Sequence, residues 1–245
     1  MNDPTIIAAI ITGVATVFGA IIAVLIQKDL IIITNWTRWR RSLKDGVVIL
    51  INGGSGVGKT SVAWALSRKF NIPSVIGTDL LRETARYYEE QMGTNKENPI
   101  FYSSFGNNLE SSEVITNFLS QSKELTPPII RVINRIRKKR DPVIIEGVNI
   151  VASEIFDQLP TDEMNRIIFI NLHLVNEGIH LSRLRSRGDK SNEPPDNTDR
   201  YIKHIKQIRE IDTFLYEDCK NYNDRKSPLI ILENSNSISS AVDSI

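Results

Sequence analysis

GVVILINGGSGVGKTS, residues 46–61, is the stretch whose reading decides the fold. An apolar run, Val47 to Ile51, enters a glycine-rich turn, and a helical pattern opens at Lys59. From Gly53 the spelling is G-x-x-x-x-G-K-T, a phosphate-binding loop set between a buried strand and a helix. Gly53, Gly56 and Gly58 let backbone N–H groups close around phosphate oxygens, and the helix N-terminus adds partial positive charge. The candidate nucleotide-binding residues are Gly53, Gly54, Ser55, Gly56, Val57, Gly58, Lys59, Thr60 and Ser61. Lys59 is placed to reach the β- and γ-phosphates and the Thr60 hydroxyl to ligate Mg²⁺. A chance glycine turn is the alternative, and the strand–loop–helix setting weighs against it. The pattern implies a nucleoside triphosphate, with Mg²⁺.

The chain has 245 residues and a formal net charge of +1. That length suits one α/β domain of about 200 residues plus an appendage. Near-neutral charge argues against a surface that coats nucleic acid, so no nucleic-acid partner is expected. The single Cys219 excludes an internal disulfide framework.

Residues 1–27 read as a transmembrane helix. Thr5 to Ile26 is 22 residues without a charge, about 33 Å long as a helix, enough to cross a bilayer. The basic residues Lys28, Arg38, Arg40, Arg41 and Lys44 come after it. By the positive-inside rule they put the rest of the chain in the cytoplasm of a single-pass membrane protein. Residues 28–45, with Trp36 and Trp39, read as an interfacial segment in contact with membrane lipid. Small residues four apart, such as Ala9 and Gly13, suit a homo-oligomer formed through the helix.

Residues 46–245 read as the catalytic domain. Short, apolar, β-branched strands are expected at Val47–Asn52, Ser74–Thr78, Val143–Glu146, Arg166–Leu174 and Leu229–Glu233. Helices are expected at Lys59–Phe70, Leu80–Gln91, Glu110–Gln121, Pro127–Lys139, Glu177–Arg187 and Arg200–Tyr222. The alternation implies a parallel sheet covered on both faces. Polar stretches at 93–108 and 188–198 read as loops, the second as a lid.

Three further places carry chemistry. Asp79 comes after the second strand, where a carboxylate points into the ligand crevice, and is the candidate general base; its plainer role is a helix N-cap. Arg82, one turn on, is placed to hold an anionic acceptor. Glu146 ends the third strand, where a carboxylate holds Mg²⁺ through water or orients the acceptor. His180, Arg183, Arg185 and Arg187 precede the expected lid, where arginines can close over phosphates. Arg183 and Arg187 are the catalytic candidates among them. His173 and His204 read as structural, and no zinc spacing appears.

These residues resemble the 2-phosphoglycerate kinase family of P-loop small-molecule kinases. GGSGVGKTS (53–61), VIGTDLLRE (75–83), IIEGVNIV (144–151), NEGIHLSRLRSRG (176–188) and RYIKHIKQIREI (200–211) carry the resemblance, which covers roughly residues 46–234. Asn149 stands where the family usually has histidine, and Ala152 where it usually has proline. The resemblance implies a three-layer α/β fold with five parallel strands in the order 2-3-1-4-5. It also implies transfer of the ATP γ-phosphoryl group to a small phosphorylated acid such as 2-phosphoglycerate. The roles it implies are Lys59 and Thr60 for ATP and Mg²⁺, Asp79 and Arg82 at the acceptor, Glu146 near the metal, and Arg183 and Arg187 in the lid. A nucleotide-sensing membrane regulator on the same fold stays open as a second reading, as does a nucleotide- or polynucleotide-end kinase.

Overall fold

The computed structural model describes residues 46–93, 98–103, 111–160, 167–190, 195–222 and 229–234. The chain separates into two compact units, 1–44 and 45–245, and the described residues all fall in the second.

Five strands form one parallel sheet: β1 (Val48–Asn52), β2 (Ser74–Gly77), β3 (Val143–Glu146), β4 (Ile167–His173) and β5 (Leu229–Glu233). Their order is β2-β3-β1-β4-β5, as the resemblance implied. The central strands β1, β3 and β4 are buried on both faces, so they are apolar runs rather than alternating ones. Val48 and Leu50 share one cluster with Val143, Ile145, Ile167 and Phe169 of the neighbouring strands. Ile49, Ile51, Ile144, Ile168 and Ile170, on the opposite face by the two-residue period, are buried too. Among the helices are α1 (Lys59–Phe70), α2 (Thr78–Gln91), α3 (Ser111–Lys139), α4 (Ala152–Phe156), α5 (Glu177–Lys190), α6 (Pro195–Lys203) and α7 (Ile205–Tyr222). Ile129 and Ile133 of α3 and Ile155 of α4 cover the first face. α1 packs against β1, β2 and β3 with Val62, Ala63 and Leu66 fully buried.

Several element boundaries differ from those expected. The helices expected at 110–121 and 127–139 are one helix, α3, running through Pro127 and Pro128. The prolines supply no N–H to the Lys123 and Glu124 carbonyls, a break that costs about 3 kcal/mol or more. Burying Leu125, Ile129 and Ile133 completely, at about 1.5–3 kcal/mol each, offsets a cost of that order. The helix expected at 200–222 is two, α6 and α7, separated at His204. Helix also replaces both ends of the loop expected at 188–198, since α5 runs to Lys190 and α6 begins at Pro195. α4 was not expected; Asp218 of α7 accepts the Ser153 backbone N–H at 3.2 Å near its start.

The membrane reading is corrected. No helix among the described residues is long and apolar enough to cross a membrane. α3 has the length, 29 residues, but carries Lys123, Glu124, Arg131 and Arg135 along it. The single-pass localisation with a cytoplasmic domain is therefore withdrawn. The lipid contact and helix-mediated oligomer that depended on it have no support among the described residues. Residues 5–26 and 28–45, on which those expectations rested, lie outside the described residues.

Candidate active site

The loop after β1 is built as the spelling demands. Gly53, Gly56 and Gly58 have φ of 141°, 86° and 101°, values that L side chains avoid. Gly53 is doubly constrained, because a Cβ there would sit 2.1 Å from the Leu172 carbonyl oxygen of β4. Gly58 immediately precedes α1, whose first residues are Lys59 and Thr60. The Lys59 ammonium donates to the Gly54 carbonyl at 2.7 Å. A ready anion site results: a glycine-shaped loop, a helix N-terminus and a lysine.

Three other elements hold the loop in shape. From α7, the buried Asp212 accepts the Gly54 N–H at 2.7 Å and the Leu174 N–H at 3.2 Å. Its Oδ2 lies 2.8 Å from His173 Nδ1, off the hydrogen-bond direction. From α5, His180 Nε2 lies 2.7 Å from the Ser55 carbonyl, and Arg183 donates to the Val57 carbonyl at 3.1 Å. Asn234, just past β5, donates to the same Val57 carbonyl at 2.7 Å. Burial holds both the His180 imidazole and the Arg183 guanidinium below their usual ranges. In this structure His180 and Arg183 brace the phosphate loop from a regular helix. Arg185 is exposed, and the side chain of Arg187 lies outside the described residues.

Asp212 was not among the residues singled out from the sequence. Its signal was an acidic residue on an apolar helix face, between Ile208, Ile211 and Leu215, which are all buried.

The metal-side pair comes together. β3 runs beside β1, with Ile51 opposite Glu146. That register brings the Glu146 carboxylate to the start of α1, where the Thr60 hydroxyl donates to Glu146 Oε1 at 2.8 Å. Oxygen donors on a hydroxyl and a carboxylate, beside a phosphate-shaped loop, fit Mg²⁺, which takes few protein ligands and keeps waters and substrate phosphates. No group of three or more His, Cys, Asp or Glu side chains suited to a metal occurs among the described residues.

The acceptor side is set by β2. Gly77 pairs with Glu146 across the sheet, and α2 begins at the next residue. Gly77, not Asp79, occupies the N-cap, so the capping role considered for Asp79 is corrected. Asp79 lies in the first turn with its side chain 72% exposed, 3.2 Å from Arg82. Arg82 is mostly buried, and its Nε is 4.0 Å from Glu83. A carboxylate and a guanidinium thus stand at the carboxyl edge of the sheet, beside the strand that carries Glu146. Ser61 lies in the first turn of α1.

No family model matches the chain. It is 34% identical over 185 residues to the 2-phosphoglycerate kinase of Methanocaldococcus jannaschii, a match that takes in 74% of this chain. The corresponding enzyme of Methanopyrus kandleri is 35% identical over 193 residues, or 75% of this chain. That of Methanococcus maripaludis is 30% identical over 197 residues, or 76%. The chain spans between 57% and 61% of the length of these relatives. Over about three quarters of its length the chain is 30–35% identical to these kinases.

Proposed function

We propose that this protein belongs to the 2-phosphoglycerate kinase family. In this reading it is an ATP-dependent phosphotransferase that moves the γ-phosphoryl group to the hydroxyl of a small anionic acceptor, with 2-phosphoglycerate as the leading candidate. The observation that carries the reading is the 2.8 Å contact between Thr60 and Glu146 beside the glycine loop, in a chain similar to enzymes of that name.

Each residue has a distinct task. The loop N–H groups, Lys59 and the α1 N-terminus bind the triphosphate. Thr60 and Glu146 hold Mg²⁺, which when bound neutralises charge on the phosphates. Arg82 pairs with the acceptor's anionic group. Asp79 takes the proton of the acceptor hydroxyl as its oxygen bonds to the γ-phosphorus and the β–γ bridging oxygen leaves with ADP. Arg183 and Arg187 lie on α5, the helix beside the loop, and answer the charge of the transferring group. The membrane segment was the motive for the regulator reading; it lies outside the described residues, and no observation among the described residues favours that reading.

The test is ADP release by the full chain with Mg²⁺ and ATP, against a panel of phosphorylated acids, nucleosides and nucleotides. One acid should stimulate turnover, and Lys59→Ala should abolish it. Stimulation by nucleosides alone, or turnover surviving in Lys59→Ala, would refute the assignment.

A further inference from the structure

α2 carries Asp79 and Arg82, yet Thr78 is its one fully buried residue, and Leu80, Tyr87, Tyr88 and Met92 are exposed. Leu81 and Ala85 pack against the core cluster, and the rest of the helix is held by polar ties. The ties run to a short helical turn, Pro99–Phe101, capped by Asn98, whose Oδ1 accepts the Ile100 N–H at 3.0 Å. From α2, Arg86 donates to the Ile100 carbonyl at 2.6 Å and to the Tyr102 carbonyl at 3.0 Å, and to Glu83 at 2.6 Å. From α3 on the other side, Gln121 Nε2 donates to the Pro99 carbonyl at 3.1 Å and to the same Tyr102 carbonyl at 2.7 Å. The Gln121 Oε1 accepts from Asn149 Nδ2 at 2.9 Å. Asn149 lies three residues past Glu146. Gln121 and Asn149 are both buried, at 1% and 0% exposure.

A buried amide with both donor directions and its acceptor engaged has a single orientation. Neither glutamate nor leucine reproduces it. The bonds form one chain: Asn149 at the exit of the metal-side strand, Gln121, the 99–102 turn, Arg86, and then Glu83 beside Arg82.

We propose that Gln121, oriented by Asn149, is a positioning residue for the acceptor side of the site. It fixes the turn on which Arg86 anchors α2, and so sets where Asp79 and Arg82 stand relative to Glu146. The inference rests on the acceptor reading given above, and its test separates the two.

In the full chain, Gln121→Leu keeps the side-chain volume and removes every amide bond. The acceptor KM should rise about tenfold, the scale of one or two lost net hydrogen bonds, while the ATP Kd stays within about twofold. Amide exchange should speed up in 78–91 and 98–102 and not in α7. The double variant Gln121→Leu/Asn149→Ala should be no worse than Gln121→Leu, because both act through one chain. Unchanged exchange in 78–91 and 98–102 overturns the tie, whether or not any acceptor has been found. Faster exchange with an unchanged acceptor KM, or an ATP Kd that moves in step with it, overturns the positioning role. Absence of acceptor-dependent turnover in the unaltered chain refutes the kinase reading instead.

Discussion

Replacing Asp212 by alanine strikes the phosphate loop from a helix more than 150 positions along the chain. Asp212 is 1% exposed. Its carboxylate accepts two backbone N–H groups, those of Gly54 at 2.7 Å and Leu174 at 3.2 Å. Alanine leaves both donors without that acceptor, at about 1–3 kcal/mol each. It also removes the close contact with His173, 2.8 Å away. The total loss comes to about 3–5 kcal/mol, in line with breaking a buried paired charge. For a domain of this size each kcal/mol lowers Tm by about 2–4 °C, so the variant should melt about 6–20 °C lower. The loss should not be confined to stability, because the Gly54 N–H fixes the loop that receives the triphosphate. Calorimetry on the folded variant should show ATP binding weakened by tenfold or more. His173→Ala keeps both backbone bonds and should cost less than half as much. A drop in Tm below about 3 °C with ATP affinity unchanged would refute the reasoning.

Gly147→Ala places a Cβ 1.7 Å from Thr78 Oγ1 at the start of α2; overpacking of that kind costs about 1–3 kcal/mol, read by denaturant unfolding, and should raise the acceptor KM more than the ATP Kd. Burial, outweighing the Ser55 carbonyl contact, keeps the His180 imidazole below its usual range. The unfolded chain then takes up a proton near pH 6.5 that the native state refuses. Stability is therefore retained above about pH 6.5 and falls below it, by up to about 1.4 kcal/mol per pH unit, and urea unfolding of His180→Gln should show a shallower fall. Burial pushes the Cys219 thiol up to about 12, so a thiol reagent at pH 8 should leave the native protein unlabelled and react once urea unfolds it.

The sheet was legible because its signal is local. Val47 to Ile51 and Ile167 to Ile170 are short, β-branched apolar runs that suit a strand buried on both faces, and the glycine spelling determined the loop between β1 and α1. Glu146 was legible as a strand-end carboxylate. What escaped was non-local. Pro127 and Pro128 read as a helix boundary, but burial of Leu125, Ile129 and Ile133 offsets the prolines' cost. The four residues bracing the loop, Asp212, His180, Arg183 and Asn234, lie more than 120 positions from the backbone they touch. No spacing rule joins them to Gly54, Ser55 or Val57. Asn52 and Asn171 met for the same reason: they are register partners across β1 and β4, linked at 2.8 Å inside the core. Gln121 read as the last residue of a helix and is mid-helix, where α3 meets the 99–102 turn.

The most direct test of the central claim traces the label from γ-³²P-ATP in the full chain with Mg²⁺ and 2-phosphoglycerate. The account predicts label in a bisphosphorylated acid, at a rate that Lys59→Ala abolishes and Asp79→Asn lowers by at least a hundredfold, the usual contribution of a general base. Label appearing only in inorganic phosphate, at a rate indifferent to the acid, would contradict it.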